Sequence, residues 1–128
     1  MEELVASALK QAPEGARIDA LGSALSLRSE VAVALGLALH ELLTNAVRFG
    51  ALSIPNGRVE LRWRPIEGAP SNQHVIEWRE IGGPNLAGPT KSGLGCELLK
   101  NILPPQLGGE TDLRFDRGGV SATIAFTP

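Results

Sequence analysis

Between residues 31 and 49 the chain reads VAVALGLALHELLTNAVRF, and this stretch constrains the fold more than any other. Leu35, Leu39, Leu42, Leu43 and Ala46 recur at helical spacing rather than at the two-residue period of a strand. The first half is apolar nearly all round, which marks a helix enclosed by other elements. Such a helix needs a second layer to cover it, and 128 residues suffice for one domain with a core of its own. The apolar run over 31–39 falls far short of the roughly 20 residues that span a bilayer. Glu2 and Glu3 stand where a secretory signal carries basic residues. A cytoplasmic chain without membrane contact is the expectation.

The remaining sequence supplies that layer. Residues 2–11 read as a short helix ended by Pro13, Glu14 and Gly15. Residues 17–21 and 24–27 read as two strands meeting at a tight turn over Gly22 and Ser23. Ser29 is the expected N-cap of the long helix, with Glu30 in its first turn, and Gly50 its expected stop. Residues 58–64 alternate, with Val59, Leu61 and Trp63 on one side. Residues 74–80 alternate again through Val75, Ile76 and Trp78. Residues 82–92, rich in glycine and proline, should be irregular. A helix over 95–103 should stop at Pro104 and Pro105. Residues 109–115 and 120–126 close the chain as a hairpin. The class this gives is α+β: a two-layer sandwich with a mixed, mostly antiparallel sheet and helices on one face.

Charge and composition remove several functions. A net charge of -2 without a lysine or arginine cluster gives no footprint for nucleic acid. Aromatic residues at 4%, none of them tyrosine, offer no stacking platform. One cysteine forms no internal disulfide framework and suits a reducing compartment.

From His40 the long helix changes character. Glu41, Asn45 and Arg48 fall at i, i+4 and i+7 and share one face. On a helix taken to be mostly buried these groups need partners, since an unpaired buried polar group costs about 1–3 kcal/mol. A metal with phosphates would satisfy all three: an amide oxygen of Asn45 suits Mg²⁺, Arg48 suits a phosphate oxygen, and Glu41 can orient or accept a proton. A merely solvated polar face fits the same spacing.

Downstream, Trp78-Arg79-Glu80-Ile81-Gly82-Gly83-Pro84 sets a carboxylate at a strand end before two glycines. A carboxylate there can accept a hydrogen bond from an exocyclic amine, and glycines allow close approach to the main chain. Ser92-Gly93-Leu94-Gly95 then opens a helix, whose first N–H groups make an anion site. The Gly-Lys-Ser/Thr ending of a Walker loop is missing, and the setting is not the βαβ unit of a dinucleotide fingerprint.

These motifs, in this order, resemble a known family. His40-Glu41-Leu42-Leu43-Thr44-Asn45-Ala46-Val47-Arg48-Phe49-Gly50-Ala51-Leu52-Ser53 is similar to the N box of HWE histidine kinases. Trp78-Arg79-Glu80 with Gly82-Gly83-Pro84 resembles the first glycine box of that family, and Ser92-Gly93-Leu94-Gly95 its second. The resemblance runs over essentially the whole chain. It implies the Bergerat ATP-binding fold, with ATP held between the N-box helix and a lid over residues 84–92. On that footing Asn45 would ligate Mg²⁺, Glu80 would receive the adenine amine, and Gly82 and Gly83 would shape the adenine pocket. Gly93, Leu94 and Gly95 would border the triphosphate, His40, Glu41 and Arg48 would lie near the phosphates, and Lys91 is a lid candidate for a phosphate contact. Leu94 stands where relatives often carry phenylalanine.

The implied reaction is transfer of the ATP γ-phosphoryl group to a histidine on a separate dimerisation and phosphotransfer domain, which would pass it to a response regulator. Residues 1–128 would be the catalytic ATP-binding domain alone, without its phosphoacceptor. His74, at a strand start, lacks the helical setting of an acceptor and reads as structural. The alternatives are an ATP hydrolase of the same fold with Glu41 activating water, a degenerate docking domain, and a serine kinase of the anti-sigma type, for which Trp-x-Glu is the wrong signature.

Overall fold

A computed structural model describes residues 1–69, 72–84, 98–116 and 119–128. Its elements are α1 (Glu2–Leu9), β1 (Ile18–Gly22), α2 (Ser29–Arg48), β2 (Arg58–Pro65), β3 (His74–Ile81), α3 (Leu98–Ile102), α4 (Pro104–Leu107), β4 (Thr111–Asp116) and β5 (Gly119–Phe126). The five strands form one sheet in the order β1-β2-β3-β5-β4. β1 runs parallel to β2, and the other pairs are antiparallel. The expected α+β sandwich is the architecture found.

Alternation along the strands explains the two layers. Val59, Leu61 and Trp63 of β2 are buried, as are Ile76 and Trp78 of β3 and Val120, Ala122, Ile124 and Phe126 of β5. The register sets these side chains next to one another, Leu61 opposite Trp78 and Trp78 opposite Ala122. Onto this face α2 lays Val31, Ala34, Leu35, Ala38, Leu39, Leu42, Leu43 and Ala46. Each buried leucine contributes about 1.5–3 kcal/mol. By length and composition α2 would also cross a membrane, but its apolar stripe is packed into this core. The opposite face of the sheet is charged: Arg62 pairs with Asp19 and Arg64 with Glu77, each at 2.8 Å and solvent-exposed, so each is worth at most about 1 kcal/mol.

Three local expectations are corrected. Residues 17–27 form no hairpin. β1 pairs in parallel with β2, which requires a long crossover, and α2 provides it; residues 24–27 are the extended lead into that helix. Gly22 is no turn residue, since a Cβ there would collide with the Trp63 ring, whose indole donates to Ser23 O at 2.7 Å. Ser29 is the first helical residue rather than the cap. Arg28, in extended conformation, caps α2 without a side-chain bond, its guanidinium reaching the carbonyls of Thr127 and Pro128. The helix α3 ends before Pro104 as expected, and Pro104 then opens α4, a position where a missing N–H costs nothing. The turn before it is wide, with Leu103 N–H donating to Leu98 O at 2.9 Å.

Candidate functional site

The C-terminal half of α2 carries the polar stripe, but not in the buried setting expected of it. His40 and Arg48 are exposed, and Glu41 and Asn45 are half-buried. The need to satisfy buried groups therefore does not apply to this stripe; water reaches it. The Arg48 guanidinium lies 5.2 Å from the centre of the Phe49 ring, a cation–π contact that leaves its N–H groups free to face solvent.

The buried polar group of this region is Glu80, 6% exposed at the end of β3. Three elements converge on its carboxylate. From the turn after α2, Ala51 N–H donates to Oε1 at 3.0 Å. From β3 itself, the Trp78 indole Nε1–H donates to Oε2 at 3.1 Å. From β5, the backbone of Val120 adds a third hydrogen bond. Burial pushes the Glu80 carboxyl above its ordinary value of 4.5, and the bonds from Ala51, Trp78 and Val120 pull it back towards the ionised form.

Two glycines make room for this group. A Cβ on Gly50 would collide with Glu80 Oε1 and lie 3.0 Å from Ala46 Cα. A Cβ on Gly119 would collide with Glu80 Cβ. Gly50 follows the C-cap Phe49, so the helix stops where expected, but its φ is negative; it lacks a side chain because Glu80 occupies that space.

The same turn joins Glu80 to Asn45. The N–H groups of Phe49 and Gly50 donate to Asn45 O at 2.8 and 3.1 Å, and the next N–H, that of Ala51, is the one held by Glu80. The fold thus brings the end of the N-box helix and the end of β3 together. Gly82 turns the chain after β3 with φ of +74°, beside the backbone of Asn56, and Gly83 follows it. Lys91, Gly93, Leu94 and Gly95 lie outside the described residues. His74 is buried, with Nδ1 2.9 Å from Asn72 O and its ring 5.9 Å from that of Phe126, a packed position in keeping with its structural reading.

Sequence reasoning gave Trp78, Gly119 and the Ala51 N–H no part in this arrangement. For Trp78 the signal was available: positions 78 and 80 share one face of a strand, so an indole donor beside a carboxylate was to be expected. Ala51 and Gly119 are distant in sequence and gave none.

No protein-family model matches the chain. It is 39% identical over 106 residues to a blue-light-activated histidine kinase of Brucella anthropi, covering 83% of this chain and 22% of that one. A protein of the same description from Brucella ovis is 36% identical over 104 residues, covering 81% and 21%. The chain thus spans about a fifth of the length of the curated relatives it matches. Among solved structures, the histidine kinase domain of an Erythrobacter litoralis blue-light-activated histidine kinase superposes with a TM-score of 0.77 at 18% identity, covering 98% of this chain and 58% of that one. The catalytic domain of the histidine kinase ThkA, in a nucleotide-free form, superposes with a TM-score of 0.72 at 17% identity, covering 98% and 92%. Over the stretch it shares with them the chain is a relative of the histidine kinases, and its α+β architecture is the fold of their catalytic domains.

Proposed function

We propose that this chain binds Mg²⁺–ATP between α2 and the segment that follows β3, and donates the γ-phosphoryl group to a histidine on a separate dimerisation and phosphotransfer domain. On this reading it works in the cytoplasm as an HWE-type catalytic domain, and a response regulator receives the phosphoryl group downstream.

The observation that carries the reading is the hydrogen-bonded turn from Asn45 through Gly50 and Ala51 to Glu80. It ties the backbone of Asn45 on α2 to the buried carboxylate of Glu80 on β3, which supports a site shared by the two elements. On this reading Glu80 accepts the adenine amine, and Gly82 and Gly83 shape the adenine pocket. Asn45, half-buried on α2, offers a hard oxygen to Mg²⁺, and Glu41 lies one turn earlier. A single amide oxygen suits an ion that arrives with phosphates and keeps water ligands. When bound, Mg²⁺ supplies charge neutralisation on the phosphates.

The protein's own part is positioning. On this reading exposed Arg48 and His40 meet the phosphates from α2, and the family resemblance adds Lys91, Gly93, Leu94 and Gly95, which lie outside the described residues. Phosphoryl transfer asks for little more than alignment and charge compensation. The test is a transfer assay: this chain, γ-labelled ATP, Mg²⁺ and a purified dimerisation and phosphotransfer domain from a related kinase. Label on the acceptor histidine supports the reading. Release of free phosphate at an unchanged rate with or without the acceptor supports the hydrolase instead.

A further inference from the structure

Glu80 serves as an adenine acceptor only if its carboxylate is ionised and correctly turned. An ionised carboxylate accepts and does not donate, with roughly four lone-pair positions. Ala51 N–H, Trp78 Nε1–H and the Val120 backbone take three of them, which leaves room for about one more donor. The exocyclic amine of adenine is such a donor; the carbonyl of guanine at the same place is not.

Of the three donors, two are main chain and are fixed by the fold. The third is a side chain, and it is the one bound to Oε2. Trp78 is buried to 1% exposure in the core, so its indole cannot swing away. Its cross-strand partners are Leu61 of β2 and Ala122 of β5. The surroundings of the carboxylate are otherwise apolar. Its neighbour on β2 is Val59, the turn after α2 offers Gly50 and Ala51, and β5 offers Gly119 and Val120. The charged neighbours Glu60 and Arg79 point to the opposite face of the sheet by strand alternation, and Arg48 is exposed against Phe49. Among the described residues, no cation steadies Glu80. From this geometry we infer that Trp78 is a positioning residue for Glu80, which holds the carboxylate in its acceptor state and orientation and so sets the preference for adenine over guanine nucleotides. The inference rests on the adenine reading of Glu80 given above.

The test is Trp78→Phe, which keeps an aromatic ring and removes the N–H. ATP and GTP binding are measured by calorimetry with Mg²⁺ across pH 5 to 8 for the unaltered chain and the variant. Loss of a hydrogen bond to a charged group should weaken ATP binding about tenfold or more and shrink the ATP-to-GTP ratio by a similar factor. ATP binding should strengthen with rising pH as Glu80 ionises, and in the variant that rise should move to higher pH, since one donor favouring the ionised form is gone. A purely structural indole would weaken both nucleotides alike and leave the pH profile in place. An unchanged ratio and profile in a folded variant overturns the role of Trp78 while the adenine reading stands. An unaltered chain with no preference for ATP overturns both.

A second measurement needs no variant fold. In the unaltered chain the indole N–H resonance of Trp78 should shift on adding ATP and stay put on adding GTP. Trp63, whose indole is committed to Ser23 O, serves as the internal reference. A Trp78 signal indifferent to saturating ATP overturns the inference.

Discussion

The Glu80 carboxylate stands where a side chain on Gly50 would have to be. A residue at the end of a strand thereby dictates the residue that follows a helix 30 positions earlier, and the two ends are locked together by the Ala51 N–H. Everything assigned to the site depends on this joint, because Asn45 lies on the helix and Glu80 on the strand.

Gly50→Ala should therefore lower stability by about 1–3 kcal/mol, the usual cost of overpacking. The same change in a Glu80→Ala background should cost clearly less, because the atom it collides with is gone. Urea unfolding of the four proteins of that cycle measures the coupling. Equal costs in both backgrounds would mean that Gly50 answers to Ala46 rather than to Glu80.

The pH dependence of stability has a definite sign. The Glu80 carboxyl lies above 4.5 in the folded chain, so the folded state holds this proton more readily than the unfolded state does. Its favourable contribution is complete below about 4.5 and is lost as pH rises through the folded-state value. Glu80→Gln removes that titration. Between pH 4.5 and neutrality the unaltered chain should lose stability relative to the Gln variant. A difference that stays flat or runs the other way would show that the carboxyl is not raised.

Asn45→Ala should leave the fold within about 0.5 kcal/mol of the original, since Asn45 is only half-buried and its carbonyl keeps the turn bonds. It should abolish the strengthening of ATP binding by Mg²⁺. Circular dichroism and thermal unfolding check the first part, and titration with and without Mg²⁺ the second. Full Mg²⁺ dependence in the variant would remove Asn45 from the metal site.

Arg48→Ala should also leave stability within about 0.5 kcal/mol, the side chain being exposed, while weakening ATP more than adenosine. Equal losses for the two ligands, read by competition binding, would show that Arg48 does not meet phosphate.

The antiparallel part of the fold was legible because β2, β3 and β5 each bury one face, and alternation records that directly. The place of β1 was not legible: a parallel pairing is decided by a crossover helix and not by neighbouring residues, and Gly22 imitates a turn while answering to Trp63. In the site, the motifs at the ends of α2 and β3 were legible, and these two ends meet. It did not show how Glu80 is held, because that depends on Ala51, 29 residues away, and on β5. The polar stripe of α2 was read with the wrong physics, as buried groups in need of partners, where the structure leaves it open to solvent and so accessible to a ligand.

The central claim is that this domain binds nucleotide with its metal. The most direct measurement is calorimetric titration of the folded chain with a non-hydrolysable ATP analogue, with and without Mg²⁺. The account predicts saturable binding that strengthens when Mg²⁺ is present. A folded chain that shows no binding at millimolar analogue would contradict it.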